Sequence, residues 1–315
     1  MRTLTIAETA AFLLSRNHFT ILTHRRPDGD TLGSAAALCL GLRSLGKAAH
    51  VLHNSEVTAK YAHLCRELSV PRAMPGDVVI CVDVAAPGLL PDDGSGIPID
   101  LRIDHHRTTE SFSDFEIVEP TAAACGQIIY DILMEMGVHL DTPMANALYT
   151  AIATDTGCFR YANTQSHTFR VAAACAEVSR DLPALNQVLF ETNSLKRLKL
   201  QGWIVENLRF LCGGQIAICA LPLQLERDMG LTEDDMENIS GFPRSIEGVK
   251  IAATLRQQPD GRIKLSVRAL PEYDANAICR KLGGGGHRGA AGATLDMSLE
   301  QAVTTVIQAM PELTN

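Results

Sequence analysis

The chain has 315 residues, 46% of them apolar and 20% charged, which is enough apolar material to bury one or two ordinary cores and excludes a disordered chain. Its formal charge of −8, from 28 Lys and Arg against 36 Asp and Glu, has the wrong sign for a protein that holds long duplex nucleic acid by counterion release. A polyanionic partner would have to be small, or be met by a local basic site.

In chain order, Thr5 and Glu8 form a capping box that opens an amphipathic helix, TIAETAAFLLSR. Glu8 also interrupts any basic-then-apolar signal pattern, so the expectation is a cytoplasmic protein. A strand, FTILTH, is followed by the loop RRPDGD and by TLGSAAALCLGLRSLG, a helix whose small-residue face suits close packing on a sheet and whose Gly46 is placed to cap it. The runs AHVL, DVVICVD and IDLRID are the next predicted strands, and two of them end in aspartate. Helical periodicity resumes in TAAACGQIIYDILMEMG, in TPMANALYTAIATDTG, where Pro143 suits a first turn, and in TQSHTFRVAAACAEVSR. Such alternation predicts an α/β domain with a mostly parallel sheet covered on both faces and functional polar residues at the C-terminal strand ends.

The character changes after residue 185. A polar helical stretch, ETNSLKRLKLQGWIVENLRF, leads to a strand, QIAICALP, and to VKIAATLRQQPDGRIKLSVRAL, a hairpin turning at Asp260-Gly261. The loop GGGGHRGAAG and a final helix opened by Ser298 and Gln301 complete a smaller α+β unit. The expected boundaries are 1–185 for the first domain, 186–210 for a helical linker and 211–315 for the second. The longest uncharged run, Phe210 to Leu225, has 16 residues and carries two glycines and a proline, short of the roughly 18 apolar residues of a membrane span. The nine cysteines are scattered and odd in number, with no Cys-x-x-Cys pair, so they read as reduced, mostly buried thiols rather than a zinc ribbon or a disulfide framework.

The chemistry concentrates in His24, Asp28 and Asp30 after the first sheet strand, Asp83 ending another, Asp104-His105-His106 ending a third, and Asp155 in ATDTG. One aspartate at a strand end is ordinarily a turn former or a helix cap. Five of them with three histidines would bury too much negative charge to persist without cations, and mixed imidazole and carboxylate ligands suit borderline-to-hard ions such as Mn²⁺. Two metals sharing a bridging carboxylate would account for both the number of ligands and their dispersal, and such sites carry out in-line displacement at phosphorus.

THRRPDGDTLGSA, VICVDVA, RIDHHR and IATDTGCFRYANT resemble the four signatures of the DHH phosphoesterases. SVRALPEYDANAICRKLGGGGHRGAAGATL resembles the DHH-associated domain that follows them, so the resemblance covers essentially the whole chain. Within the superfamily the pairing is most similar to the nano-RNase (oligoribonuclease) and 3',5'-bisphosphoadenosine (pAp) phosphatase group. Residue by residue, it implies that His24, Asp28 and Asp83 hold one Mn²⁺ and that Asp30, Asp83, His105 and Asp155 hold the second, with Mg²⁺ or Co²⁺ as substitutes. Asp104 would orient the histidines, and His106 would face the phosphate as charge stabiliser or proton donor, a satisfied supporting histidine being the alternative.

In the second domain, Gly284, Gly285 and Gly286 would bring backbone N–H groups to an anion, with Arg268, His287 and Arg288 gripping a terminal phosphate across a cleft between the domains. Arg26 stands where the first signature more often has Asn, AAACGQ replaces a more polar pattern, and Ala269 replaces a serine; these bear on substrate contacts rather than on metal ligands. Other histidines, among them His50, His53, His63, His139 and His167, show no partnered carboxylate in a recognisable pattern, and Phe159 and Tyr161 read as packing rather than base stacking. The implied activity is hydrolysis of short 5'-phosphorylated oligonucleotides, RNA or DNA, of about two to five nucleotides, and of pAp. Alternatives are a phosphodiesterase for cyclic or linear dinucleotides, a short-chain polyphosphatase, or, in another class, a non-catalytic nucleotide-binding module. No membrane partner is expected, and the oligomeric state, a homodimer included, is not legible.

Overall fold

Residues Val78–Val82 read VVICV, a run with no polar face, which is how a strand buried on both sides of a parallel sheet is written. In the computed structural model, which describes residues 2–106, 110, 112–311 and 313, this run is the central strand of seven. Arg107, the last residue of RIDHHR, lies outside the described residues. The chain divides into two compact units, up to Thr192 and from Asn193 onward.

The first unit contains β1 (Arg2–Thr3), α1 (Ile6–Leu14), β2 (His18–Leu22), α2 (Gly29–Ser44), β3 (Ala48–Leu52), α3 (Ala62–Cys65), β4 (Ser69–Val70), β5 (Val78–Val82), β6 (Ile99–Asp104), β7 (Ser113–Val118), α4 (Cys125–Glu135), α5 (Thr142–Asp155), α6 (Ser166–Val178) and α7 (Leu182–Asn186). Its sheet runs β1-β7-β6-β5-β2-β3-β4, and every pairing is parallel. From β2 the chain adds strands on one side and then returns to add β5, β6 and β7 on the other. The switch in direction therefore falls between β2 and β5, where open parallel sheets bind ligands.

One face of this sheet carries the main core, in which Phe19, Ile21, Ile80, Leu101, Ile103 and Ile117 meet Leu13, Leu38, Ile128 and Leu148 of the helices. The opposite face buries Leu22, Leu52, Cys81, Val84 and Leu90 beneath the β5–β6 connection, which crosses with two 3-10 turns, Pro87–Leu89 and Asp92–Gly94. The start signals act where their chemistry allows. Thr5 and Glu8 cap each other's backbone around α1, Pro143 sits in the first turn of α5 under an Asp141 cap, and Asp28 caps α2. The small-residue face of α2 lets it approach α5 closely, since a Cβ on Gly33 would lie 2.4 Å from the carbonyl oxygen of Ala147.

The second unit contains α8 (Leu195–Asn207), β8 (Arg209–Leu211), β9 (Ile216–Leu221), α9 (Leu223–Met229), α10 (Glu233–Met236), β10 (Ile251–Gln257), β11 (Ile263–Ala269), α11 (Ala275–Arg280), β12 (Gly285–Gly286), β13 (Ala290–Leu295) and α12 (Leu299–Ala309). Its six-stranded sheet runs β12-β13-β11-β10-β9-β8, antiparallel except for the β9–β10 pair. The β10–β11 hairpin turns where Asp260 Oδ1 accepts from the Arg262 amide and Gly261 takes φ +87°. Helix α8 buries Leu200 and Ile204 against Cys219 and Leu221. All nine cysteines are free thiols, seven of them buried, and no helix among the described residues is long and apolar enough to cross a membrane.

Gly33 and Gly202 provide a matched pair. Gly33→Val forces side-chain atoms against a backbone oxygen that cannot retreat and is expected to lower stability by about 1–3 kcal/mol. Gly202→Ala, with nothing within 4 Å of its added carbon, is expected to raise it by up to roughly 1 kcal/mol through helix propensity. Urea unfolding of each variant beside the parent measures both.

Candidate active site

Parallel pairing aligns the C-terminal ends of β2, β5 and β6, so the residues that follow these strands converge on one rim. Val82 pairs with Ile103, which sets Asp83 beside Asp104. Asp83 turns the chain in the left-handed region at φ +58°, a conformation that costs a non-glycine residue roughly 1–2 kcal/mol, and its amide donates to Ile103 O at 2.9 Å. Asp28 and Asp30 arrive on the first turn of α2, and Asp155 is the last residue of α5.

These elements bring together every residue that the sequence motifs nominate on the first unit. Ligand atoms of His24, Asp28 and Asp83 lie within 4.8 Å of one another, as do those of Asp30, His105 and Asp155, and those of Asp83, His105 and His106. His105 Nε2 lies 3.8 Å from Asp30 Oδ2, 3.6 Å from Asp83 Oδ1 and 3.7 Å from Asp155 Oδ2. Its other nitrogen, Nδ1, sits 3.2 Å from the carbonyl oxygen of Ala122. A carbonyl only accepts, so Nδ1 carries the proton and Nε2 turns a lone pair toward three carboxylates. His24 repeats the device, with Nδ1 2.7 Å from Arg25 O and Nε2 3.8 Å from Asp83 Oδ2.

Lone pairs facing lone pairs across 3.6–3.8 Å make no hydrogen bonds. His105 Nε2 and Asp83 Oδ1 are accordingly buried without a hydrogen-bond partner. Buried polar atoms are satisfied almost everywhere else in proteins, and an imidazole and carboxylate set of this kind fits a divalent cation.

The electrostatics agree. Asp30 is pushed well above the usual carboxylate range, first by burial and then by the charges of Asp83, Asp155 and Asp28. Asp28 is raised by desolvation and by Asp83, and Asp155 is pushed to about 8 by burial and by Asp28 and Asp83. Burial lowers His105, with only partial compensation from Asp83. His106 goes the other way: burial disfavours its charge, yet its hydrogen bond to Asp104 and the attraction of Asp83 and Asp104 hold it at about 11. In Asp104, burial is outweighed by hydrogen bonds from His106 and Arg102, and its pKa falls.

Several supports were invisible at the level of motifs. Thr31 Oγ1 donates to Asp83 Oδ2 at 2.6 Å. The first amides of α4, those of Cys125 and Gly126, donate to Asp30 Oδ2 and Oδ1 at 2.7 and 2.9 Å, so the departure AAACGQ costs no ligand support, because backbone supplies it. Asn163 ties Asp155 O to Ala123 O through its amide. Asp104, expected to orient both histidines, holds His106 alone, through Oδ1 to the amide and to Nδ1, each at 2.9 Å. Arg26 adopts φ +50°, the region in which Asn is more at ease, and its guanidinium pairs with Glu56 at 3.5 Å. His167 does have a carboxylate partner, contrary to the sequence reading: Asp131 lies 2.9 Å away because α4 and α6 bring together residues 36 apart. Phe159 stacks on Phe169 with ring centroids 5.4 Å apart.

In the second unit, Arg268 on β11 pairs with Ala290 on β13, next to the turn in which the His287 amide donates to Ala290 O at 2.8 Å. Arg288 Nε and Nη2 donate to the carbonyl oxygens of Pro271 and Glu272. The glycine run differs from the expected open loop. Gly285 and Gly286 form β12 against β13, and the Gly284 amide donates to Cys279 O at 2.9 Å, so that N–H is not free for an anion. A Cβ on Gly284 would fall 2.1 Å from Gly292 O, which is why a glycine stands there.

Comparison with known proteins places this geometry. Residues 18–152 match the DHH family, N-terminal domain, and residues 213–313 match the DHHA1 domain. The chain is 34% identical over 298 residues to the bifunctional oligoribonuclease and PAP phosphatase NrnA of Thermus thermophilus, covering 93% of this chain and 89% of that protein. It is 28% identical over 285 residues to the protein of the same name from Bacillus subtilis, covering 88% and 89%. A solved exopolyphosphatase-related protein from Bacteroides fragilis superposes with a TM-score of 0.82 at 24% identity, over 96% of this chain and 95% of that one, and so shares the fold. With the DHH cluster assembled at the switch point and both domain matches in sequence, the chain belongs to the DHH family of phosphoesterases, its DHH domain followed by a DHHA1 domain.

Proposed function

We propose that the protein is a Mn²⁺-dependent phosphoesterase that hydrolyses short 5'-phosphorylated oligonucleotides, about two to five nucleotides long, to mononucleotides, and pAp to AMP and phosphate. The observation that carries the reading is the orphaned pair of buried atoms, His105 Nε2 and Asp83 Oδ1, inside a set of raised carboxyl groups. His24, Asp28 and Asp83 would hold one ion and Asp30, Asp83, His105 and Asp155 the other, with Mg²⁺ or Co²⁺ as substitutes. Bound there, the pair of ions would polarise phosphoryl oxygens and supply an acidified water. The names of the two relatives, each an oligoribonuclease and PAP phosphatase, support the choice of substrate, and the formal charge of −8 supports small substrates over long duplex.

The chain's own residues divide the work. His106, held by Asp104 and carrying a proton on Nδ1, would stand beside the phosphate as a cation and proton donor. Arg268, His287 and Arg288 would bind the terminal phosphate, Arg288 with its remaining N–H groups. Gly285 and Gly286 would shape that edge, and Gly284 would do so by packing rather than by donating. A cavity of about 600 Å³ in the first unit, bordered by Thr23, Leu52, Asn54 and Val70, is within the range that small ligands occupy and supports room for a nucleoside. Non-catalytic nucleotide binding is a weaker reading, because a pure binder has no use for so many raised carboxyl groups.

AMP release from the dinucleotide pApA with added Mn²⁺, run beside a long single-stranded RNA, tests the assignment. Fast cleavage of the dinucleotide with little on the long strand is expected, and the reverse preference would overturn the short-substrate reading. Asp83→Asn is expected to lower kcat by roughly 1,000-fold, in keeping with several kcal/mol of lost charge stabilisation. Arg268→Ala is expected to raise KM by about 10- to 100-fold with a smaller change in kcat, as loss of a charge-assisted hydrogen bond does.

The raised groups also fix a pH dependence. Asp30, Asp155 and His106 keep protons in the folded, metal-free protein that the unfolded chain has released, so its stability falls as pH rises. Between pH 6.5 and 8.5 the melting temperature of the metal-free protein is expected to drop, with Asp155 completing its part near 8. Added Mn²⁺ is expected to abolish the drop, with protons released into the buffer, as calorimetry in buffers of different ionisation enthalpy would register.

A further inference from the structure

Arg102 is fully buried on β6, where a guanidinium carries a heavy desolvation penalty unless its donors are met. Its contacts converge on the DHH segment and on the residue after Asp83. Nε donates to Val84 O at 3.0 Å, and Nη2 donates to Asp104 Oδ2 at 2.5 Å and reaches His106 O at 3.4 Å. Nη1 faces Glu116 Oε2 on β7 at 3.6 Å, and the Phe112 ring centre lies 5.2 Å from the guanidinium carbon. The remaining oxygen of Asp104, Oδ1, accepts from the amide and Nδ1 of His106, whose Nδ1 lies 3.4 Å from Asp83 Oδ1.

We propose that Arg102 is a positioning residue for the hydrolytic centre: it fixes Asp104 and the segments flanking Asp83 and His106, so that the His106 ring is held beside Asp83. The inference rests on reading the cluster as that centre. Arg102 touches no substrate and acts through Asp104 and His106. An ion pair that only balanced charge would need one contact, to Asp104. The planar fork instead spans a carboxylate and two carbonyl oxygens in separate segments, which an ammonium on a flexible stem cannot reproduce. Groups that orient metal-site residues from behind commonly change affinity or rate by about 10- to 100-fold when altered.

Arg102→Lys keeps the charge and loses the fork. It is expected to lower kcat on pApA by about 10- to 100-fold with KM within about twofold of the parent. In the metal-free protein, the hydrogen-bonded Nδ1 proton of His106 is expected to be seen by NMR in the parent and to be lost or shifted in the variant. Glu116→Gln, which removes only the anion facing Nη1, is expected to shift the same resonance and lower kcat by about threefold; it serves as the test where Arg102→Lys fails to fold. A folded Arg102→Lys protein with the parent's kcat and an unmoved His106 resonance would overturn the proposal, as would Glu116→Gln leaving both unchanged in the case it covers. If the parent hydrolyses neither pApA nor pAp, the functional reading fails while the resonance still decides whether Arg102 positions His106.

Discussion

Like charges crowded at the point where the sheet reverses direction are the constraint on which the first unit is built. Asp28, Asp30, Asp83 and Asp155 cannot all ionise in a confined space without cations, and the scaffold holds them together nonetheless. It does so by committing some lone pairs of these carboxylates to hydrogen bonds and leaving others uncommitted. Asp28 spends Oδ1 on the amides of Asp30 and Thr31, and Asp83 spends Oδ2 on Thr31 and leaves Oδ1 unmet. Asp30 is gripped through both oxygens by the first amides of α4, where the helix presents partial positive charge. One set of bonds fixes position and another set of lone pairs remains for an ion, so the geometry is prepared before any cation arrives.

Asp104 shows the other way to settle a buried carboxylate. Its partners, Arg102 and His106, are permanent parts of the chain, and its pKa falls where those of Asp28, Asp30 and Asp155 rise. Two populations of aspartate therefore stand on one rim, separated by whether their compensating charge is built in or must be recruited. Such divergence in neighbouring titratable groups is how one fold assigns them separate roles. Here it separates a set suited to metal from an aspartate suited to holding a histidine.

Much of this was legible in the residues and some of it could not be. VVICV and IDLRID announced buried strands, the Thr5/Glu8 and Ser298/Gln301 boxes marked helix starts, and aspartates at apolar run ends marked the rim. The unseen part has two physical causes. Backbone groups carry no residue identity, so Ala122 O behind His105 and the Cys125 and Gly126 amides behind Asp30 leave no sequence signal. Pairings across helices or strands, such as His167 with Asp131, depend on packing that periodicity does not encode. Arg102 is the intermediate case: a cation between Leu101 and Ile103 in a strand that reads as buried asks for a buried partner, and Asp104, two residues on and on the same side of β6, supplies it.

The glycine run of the second unit shows why composition alone misassigns a role. Glycines suggest backbone amides offered to an anion, yet Gly284 is required by the pleat, since its Cβ would strike Gly292 O, and Gly286 by a φ of +145° that side chains rarely adopt. What the run achieves is to let β12 lie close on β13, and that places the His287 turn near the end of β11 that carries Arg268. Under the proposed function, recognition of an anion there would fall to side-chain cations, whereas in the first unit it would fall to carboxylates that must first acquire cations. On that reading, a chain with a formal charge of −8 would serve a polyanionic substrate without a basic surface, because the positive charge would be either confined to one end of the second sheet or borrowed from bound ions.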